Sequence, residues 1–561
     1  MSLYHSAHGH EVRTLAIEGD ADYLFDPRET TSDVIARVSK DWPPDLLMCW
    51  LPELFPPPRA VEDSPIKTVA IVSDWNIYFP QIEANLARYD LALTDKPGAR
   101  TLRLRGAKAQ YYAPLYSHLS TVHRKLDVKK DIDILFVGNL NHAIHRERAR
   151  CLERIAALAG EFHVVIATDV YDEEYARLLN RARIVFNYSV RGELNLRTFE
   201  AMACGALLFL EHHNEEAGGL LQNRIDAVMY TEEDMIGLLR HYLAEPEQRR
   251  QAARAGRRKC AAFAGELRLD GWINWIARQP RGPRAFKTLP EEDRLLADIL
   301  QNAASLVIGQ QDLARDDALA CLARFGDRPD FLITAGLAQL HDLTKLDGEP
   351  RRLETKEVMR CFNKASSIAP DAITPWLNLA VMCRQAGSVE AETHCLENAL
   401  SASSCEYGGL LMGVTSDPYY IAWRKGLALG AIRPELLWAA AACRLSELDL
   451  IRGRAADACA RARQSIAWEP SVAFPHRIWA IAESQLGRIE EAASILEDAL
   501  PLTAFDADYR MDLVRALALS GQVEKAEAVA AESMRLLRVC SNQQEHADAF
   551  DGCVAEILRG E

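Results

Sequence analysis

Short apolar runs separated by polar or helical stretches fill the first half of the chain, the pattern of βα units in a parallel sheet. Arg13–Ile17, Leu46–Cys49, Thr68–Val72 and Leu91–Thr94 read as its strands. Between the second and third, LPELFPPPRAVEDSP carries prolines at 52, 56, 57, 58 and 65 and is expected to be a surface loop. A second unit opens with the apolar strand Asp133–Val137, which runs into Gly138-Asn139-Leu140. A helix from about His145 to Ala159, the strand Phe162–Ala167 and a helix over Asp172–Ala182 follow. Ile184–Tyr188 and Ala206–Leu210 are the last two strands, with a charged loop and a short helix between them. Helices at 231–244 and 246–264 close the unit, and Trp272 and Trp275 lie in a segment placed to pack back on the first half.

Beyond residue 290 the strand signals vanish and a period of 34 residues takes over. Gly453, Gly487 and Gly521 are 34 apart, and Ala458, Ala492 and Ala526 follow at a constant offset. Phe362 with Leu396, and Ala365 with Ala399, repeat the spacing. A glycine allows the tight turn between paired helices, and small residues let the helices approach. This pattern, with Pro370 and Pro470 after the second helix and Trp376, Leu379 and Ala380 on a first helix, resembles the tetratricopeptide repeat. Segment 403–433 is out of register, as a degenerate or interrupted repeat would be.

The composition, with 49% hydrophobic and 26% charged residues, gives every domain material for a core. A net charge of -15 disfavours nucleic acid as a partner. Thirteen scattered cysteines without a CxxC pair fit neither a disulfide framework nor a zinc cluster, and read as buried thiols of a reducing compartment. The histidines at 5, 8 and 10 read as part of a polar terminus rather than a metal site. The start of the chain lacks the pattern of a secretory signal, and no stretch approaches ~18 apolar residues. A cytoplasmic protein without membrane insertion is expected.

Candidate chemistry concentrates in Arg181–Leu210, where the loop at the carboxyl end of a strand holds Arg191, Glu193, Asn195, Arg197 and Glu200. In parallel α/β sheets ligands bind there. Asn195 can cap the helix that follows, whose free amides attract a diphosphate. Arg197 adds a forked cation on the first turn, and Glu200 lies one turn further along the same face. The plain alternative is an exposed i, i+3 ion pair between the two. Leu196, Phe199 and Ala203 are expected to hold the helix to the sheet.

Residues 131–276 resemble the C-terminal half of GT-B glycosyltransferases of the group 1, spore-maturation-protein-like family. The likeness is carried by KKDIDILFVGNL at 129–140, ARIVFNYSVRGELNLRTFEAMACGALLF at 182–209 and YTEEDMIGLLRHYLAEPEQRRQAARAG at 230–256; KTVAIVSDWN at 67–76 looks like the acceptor-side half. The resemblance implies an α/β GT-B module of two Rossmann-like halves, 1–120 for the acceptor and 121–280 for the nucleotide-sugar, followed by an all-α repeat solenoid at 290–561. Gly138, Asn139, Arg146, Asn195 and Arg197 would then serve the donor phosphates, Glu200 the ribose and Glu193 the donor sugar. Asp74, or else His118, would be the base; a capping or turn role for Asp74 and a solvated charge for Arg146 stay open. Related retaining enzymes separate their two glutamates by seven residues, whereas Glu193 and Glu200 are separated by six, so the stereochemical outcome stays open. Such enzymes need no metal and no cofactor beyond the donor substrate.

The expected function is transfer of a sugar from a nucleotide donor to an acceptor hydroxyl, on a protein recognised by the repeats. Two rivals remain: a repeat scaffold carrying a relic transferase domain, and a transferase acting on a surface polysaccharide.

Overall fold

Apolar alternation along the strands decides how the sheets are covered. The computed structural model describes residues 9–106, 109–112, 114–141, 144–282, 285–303, 310–326, 328–343, 348–411, 417–503, 505–540 and 544–559. Strands β1 (Leu15–Ala16) and β2 (Tyr23–Leu24) form a small sheet of their own. The first main sheet is parallel and runs β3 (Leu46–Trp50), β4 (Lys67–Ile71), β5 (Leu91–Leu93), β6 (Ala109–Gln110) in spatial order. Arg13–Ile17 is thus no strand of that sheet. Asp22 takes the Thr14 amide at 2.7 Å and its hydroxyl at 2.9 Å, which folds the segment onto itself.

Successive residues of a strand face opposite sides of its sheet. Val69 and Ile71 pack with Leu269, Trp272 and Ile276 of the helix Gly265–Arg278, so the segment holding the two tryptophans does cross back onto the first half. Ala70, on the other face, packs with Phe79 and Ile82 of the helix Phe79–Asn85, and with Ala428 from the far end of the chain.

The second sheet is also parallel, in the order β11 (Val228–Tyr230), β10 (Leu207–Glu211), β9 (Ala182–Phe186), β7 (Ile132–Val137), β8 (Val164–Ala167). It has five strands rather than the four expected, because Val228–Tyr230 is too short to read as one from pattern alone. All five residues of β10 are buried, as parallel strands covered on both faces require.

From Glu291 on, the described regular structure is helical. Helices pair as antiparallel hairpins, among them Ile373–Gln385 with Val389–Ser401, Glu435–Ile451 with Ala455–Trp468, Phe474–Gln485 with Ile489–Ala499 and Ala507–Leu519 with Val523–Val539. Gly387, Gly453, Gly487 and Gly521 turn these hairpins at φ between 71° and 80°, the left-handed region that glycine enters without a steric cost. Ala458, Ala492 and Ala526 are fully buried, which is why that position stays small. The out-of-register stretch holds an extra helix, Pro418–Leu429. Val389–Ser401 packs on Glu435–Ile451 past it, and the extra helix packs both on Glu435–Ile451 and on Phe79–Asn85 of the first half.

The repeats are not a separate body. Phe505, Leu536 and Cys540 belong to the core formed by Ile134, Phe136 and Phe186, and Arg510 pairs with Glu153. At the other end Arg59 meets Asp317 at 2.6 Å, and Gln301 Nε2 donates to the Pro52 carbonyl at 3.0 Å. All thirteen cysteines are free, and all but Cys405 and Cys553 are buried. His5 and His8 lie outside the described residues. Among the described residues no helix is long and apolar enough to cross a membrane, and no three His, Cys, Asp or Glu side chains are grouped to hold a metal ion.

Candidate functional site

The carboxyl ends of β7 and β9 meet the start of the helix Leu196–Ala203. Asn195 caps that helix: its Oδ1 accepts the Thr198 amide at 3.3 Å. Its Nδ2 donates at 3.1 Å to Oδ1 of Asn187, which also accepts Arg197 Nη1 at 2.7 Å. Asn187 is fully buried just beyond β9, and its carbonyl accepts the Tyr230 hydroxyl at 2.7 Å. A polar side chain in that position needs partners, and it finds them by orienting both the cap and the arginine.

Arg197 Nε donates to the Val137 carbonyl at 2.8 Å, and the guanidinium lies 4.5 Å from the Phe136 ring centre. Gly138 follows at the end of β7. A Cβ there would stand 2.1 Å from Arg197 Nη2, so the absence of a side chain is what lets the guanidinium lie against the strand end. Arg148, from the helix Arg146–Ala156, approaches the same Phe136 ring at 5.3 Å and donates to the Asn139 carbonyl. Arg148 is buried; desolvation first, and then Arg197, pull its pKa down to about 9. Among the described residues neither arginine has a carboxylate within 4 Å. Beside them the His145 Nδ1 is sealed from solvent without a partner among the described residues. Burial first, then Arg148, Lys425, Arg197 and Arg191, pull that imidazole down to about 2 and keep it neutral.

Glu200 is buried and does not spend its hydrogen bonds on Arg197. Its Oε2 accepts the Tyr175 hydroxyl at 3.0 Å and its Oε1 stands 3.7 Å from His123 Nε2. Burial raises the Glu200 carboxyl to about 7 and lowers His123 to about 4, so at neutral pH the histidine carries no charge. Phe199 and Ala203 pack the helix on the sheet, while Leu196 is 41% exposed and takes no part in that packing. The exposed position is Ncap+1, on the open first turn.

Arg191 and Glu193 face the other half. Glu193 is buried, and its Oε2 accepts the Arg191 amide at 2.8 Å while its Oε1 lies 3.5 Å from Arg191 Nη2; burial raises its pKa. Arg191 reaches across to Asp74 and Asp95, each at 3.0 Å. Asp95 caps the helix Lys96–Leu104 through the Gly98 amide and accepts Trp75 Nε1 at 3.1 Å, so it is a fixed anchor. Asp74 follows β4, is 41% exposed, and has its amide held by the buried Glu53. A second tie runs from the Lys96 amide to Glu216, whose other oxygen takes the Leu194 amide.

Of the remaining sequence candidates only Asn139 touches the pair of arginines, through its carbonyl on Arg148. Asn139 is exposed and its Oδ1 accepts the Asn141 amide at 2.7 Å. Arg146 Nη1 donates to Ser471 Oγ on the repeats. His118 is buried against Cys260 Sγ at 3.4 Å, in the seam where its carbonyl takes the Gly265 amide. Reasoning from sequence misses Asn187, Arg148, Tyr175, His123 and Asp95. Only Asn187 carried a signal, as a polar residue closing an apolar strand.

Residues 129–264 match the family described as glycosyl transferase-like. No curated protein matches the sequence. Among solved structures, sucrose-phosphate synthase from Thermosynechococcus elongatus is similar at 10% identity and a TM-score of 0.33, over 46% of this chain and 80% of that one. The pneumococcal O-GlcNAc transferase GtfA in complex with UDP and GlcNAc gives 9% and 0.29 over 38% and 52%. MamA from Desulfovibrio magneticus RS-1 gives 12% and 0.26 over 36% and 95%. The chain carries a glycosyl transferase-like domain at 129–264 on the second of its two main parallel sheets, and helical hairpins with a 34-residue period.

Proposed function

We propose that this protein transfers a sugar from a nucleotide-sugar donor to a hydroxyl of an acceptor, and that the acceptor is a protein held by the repeats. The observation that carries the donor part is the pair Arg148 and Arg197, two arginines at the strand end without a carboxylate within 4 Å among the described residues. For the buried Arg148 a missing contact counter-ion is costly, and a bound diphosphate removes that cost. Arg197, being forked, suits phosphate oxygens, and the capped helix start adds its dipole. Glu200 would accept the ribose hydroxyls, with Tyr175 fixing its orientation.

In the reaction, the bond from the sugar carbon to the diphosphate oxygen breaks and one from that carbon to the acceptor oxygen forms. The diphosphate leaves with the electron pair, stabilised by the two arginines. Asp74, on release from Arg191, would take the acceptor proton; Glu193 would orient Arg191 and face the donor sugar. A panel of nucleotide-sugars scored by released diphosphate tests the reading. A pairing of Asp74 and Glu193 with Arg191 that persists under all donors favours the scaffold instead, and no turnover with any donor, together with no nucleotide binding, would establish it.

A further inference from the structure

The helix Pro418–Leu429 is the one that breaks the 34-residue register, and it also touches both halves. Ala428 is part of the first sheet's core, next to Phe79 and Ile82, and the preceding turn brings Gly409 against Pro80. Two neighbouring residues face the two halves. Arg424 lies near Tyr78, at the start of the helix Phe79–Asn85 of the first half. Lys425 Nζ donates to the Ile144 carbonyl at 3.2 Å, one residue before His145, whose Nδ1 has no partner among the described residues, and four before Arg148.

Lys425 therefore stands with the cations of the donor half rather than with the repeats that carry it. Its surroundings are Arg146, Arg191 and the solvent-facing Glu147. A lysine drawn from water toward two arginines and a neutral histidine has only the solvent-facing Glu147 as a counter-charge, which offsets the lost hydration in part. The arrangement gains sense if an anion of more than one charge lies among them.

We propose that Lys425 is a ligand of the donor's diphosphate, so that an insertion in the repeats supplies the third wall of the transferase site. This rests on the donor reading above and sharpens it: the repeats take part in binding the donor as well as the acceptor. Ala428 docks the helix on the first half, and the Lys425 ammonium gives it its one described hydrogen bond to the donor half.

The test uses the full-length protein with UDP, GDP, ADP and TDP, binding measured by calorimetry on the parent, Lys425→Met and Lys425→Arg, with Tm as control. Methionine keeps the aliphatic stem and removes the charge. Lys425→Met is expected to weaken the preferred nucleoside diphosphate about tenfold or more, the loss of one charge-assisted hydrogen bond, at unchanged Tm. Lys425→Arg should recover most of that affinity. Parent-like affinity in Lys425→Met would overturn the proposal and leave the donor reading intact. Loss of affinity in both variants, or a lowered Tm, would make Lys425 an interface residue and overturn it too. A parent that binds none of the four would remove the donor reading itself.

Discussion

Arg191 Nη1 lies 3.0 Å from Asp74 Oδ1, and through this contact the loop after β9 grips the end of β4 in the other half. The same guanidinium holds Asp95 and Glu193, both buried. Arg191→Ala would leave those two carboxylates without a counter-ion, a loss of about 3–5 kcal/mol for a buried pair broken on one side. Asp74 is 41% exposed, so Asp74→Asn should cost under about 1 kcal/mol yet abolish transfer. Melting curves separate the two variants. Equal Tm values would mean that Arg191 does not clasp the halves, and full transfer by Asp74→Asn would remove it as the base.

Gly138 offers a sharper probe of the phosphate site than any charge change. A methyl group there stands where Arg197 Nη2 now lies, and an arginine end can move aside without breaking the core. Gly138→Ala is thus expected to weaken nucleoside diphosphate binding as much as Arg197→Ala does, roughly tenfold, and to lower Tm as well, because Gly138 stands at φ 156°, where a side chain is strained. Calorimetry on the pair decides. Unaltered affinity in Gly138→Ala would show that the position of the guanidinium against the strand end is not needed.

How far these residues were legible follows from the range of the interactions. The cap at Asn195, the strands β7, β9 and β10 and the turn glycines of the repeats are local, and spacing within a few residues defines them. The clasp of Arg191 on Asp74 and Asp95 joins positions 117 and 96 apart, and no period encodes it. Tyr175 reaches Glu200 from another helix, so the i, i+3 spacing that suggested an ion pair with Arg197 was overridden by tertiary contact. The break in the repeat at 403–433 was visible as a loss of register; that it marks a helix docked on the first half was not, because docking is set by Ala428 and Phe79 meeting in space.

Glu200 should leave a mark on pH dependence. Its carboxyl is raised to about 7 by burial, so between its unfolded value near 4.5 and about 7 the folded protein holds a proton that the unfolded chain has released. Its contribution is therefore full below that window and falls as pH rises through it, by up to about 3 kcal/mol. Glu53, Glu211 and Glu216 are raised to about 7 as well and add the same sign, so Glu200→Gln should flatten the Tm decline between pH 5 and 7 only in part. The variant should also lose nucleoside diphosphate affinity. An identical Tm profile would show that Glu200 is ionised throughout, and identical affinity would remove it from the ribose.

The helical repeats and the donor half share one core, and this can be measured without any ligand. Leu536 is 2% exposed and packs in the cluster of Ile134, Phe136 and Phe186, more than 300 residues away in sequence. Leu536→Ala removes that filling, which costs about 2–5 kcal/mol in a core that cannot collapse. If the two modules melted independently, the loss would fall on the repeats alone. Here the donor half loses an apolar wall with them, so the variant should bring forward the melting that a nucleoside diphosphate shifts. For the same reason a fragment ending at residue 280 uncovers the surface under Phe505, Leu536 and Cys540 and the place of Ala428, and is expected to aggregate or bind a hydrophobic dye. A soluble fragment with the parent's nucleotide-dependent transition would show that the shared core adds nothing to the stability of the transferase half.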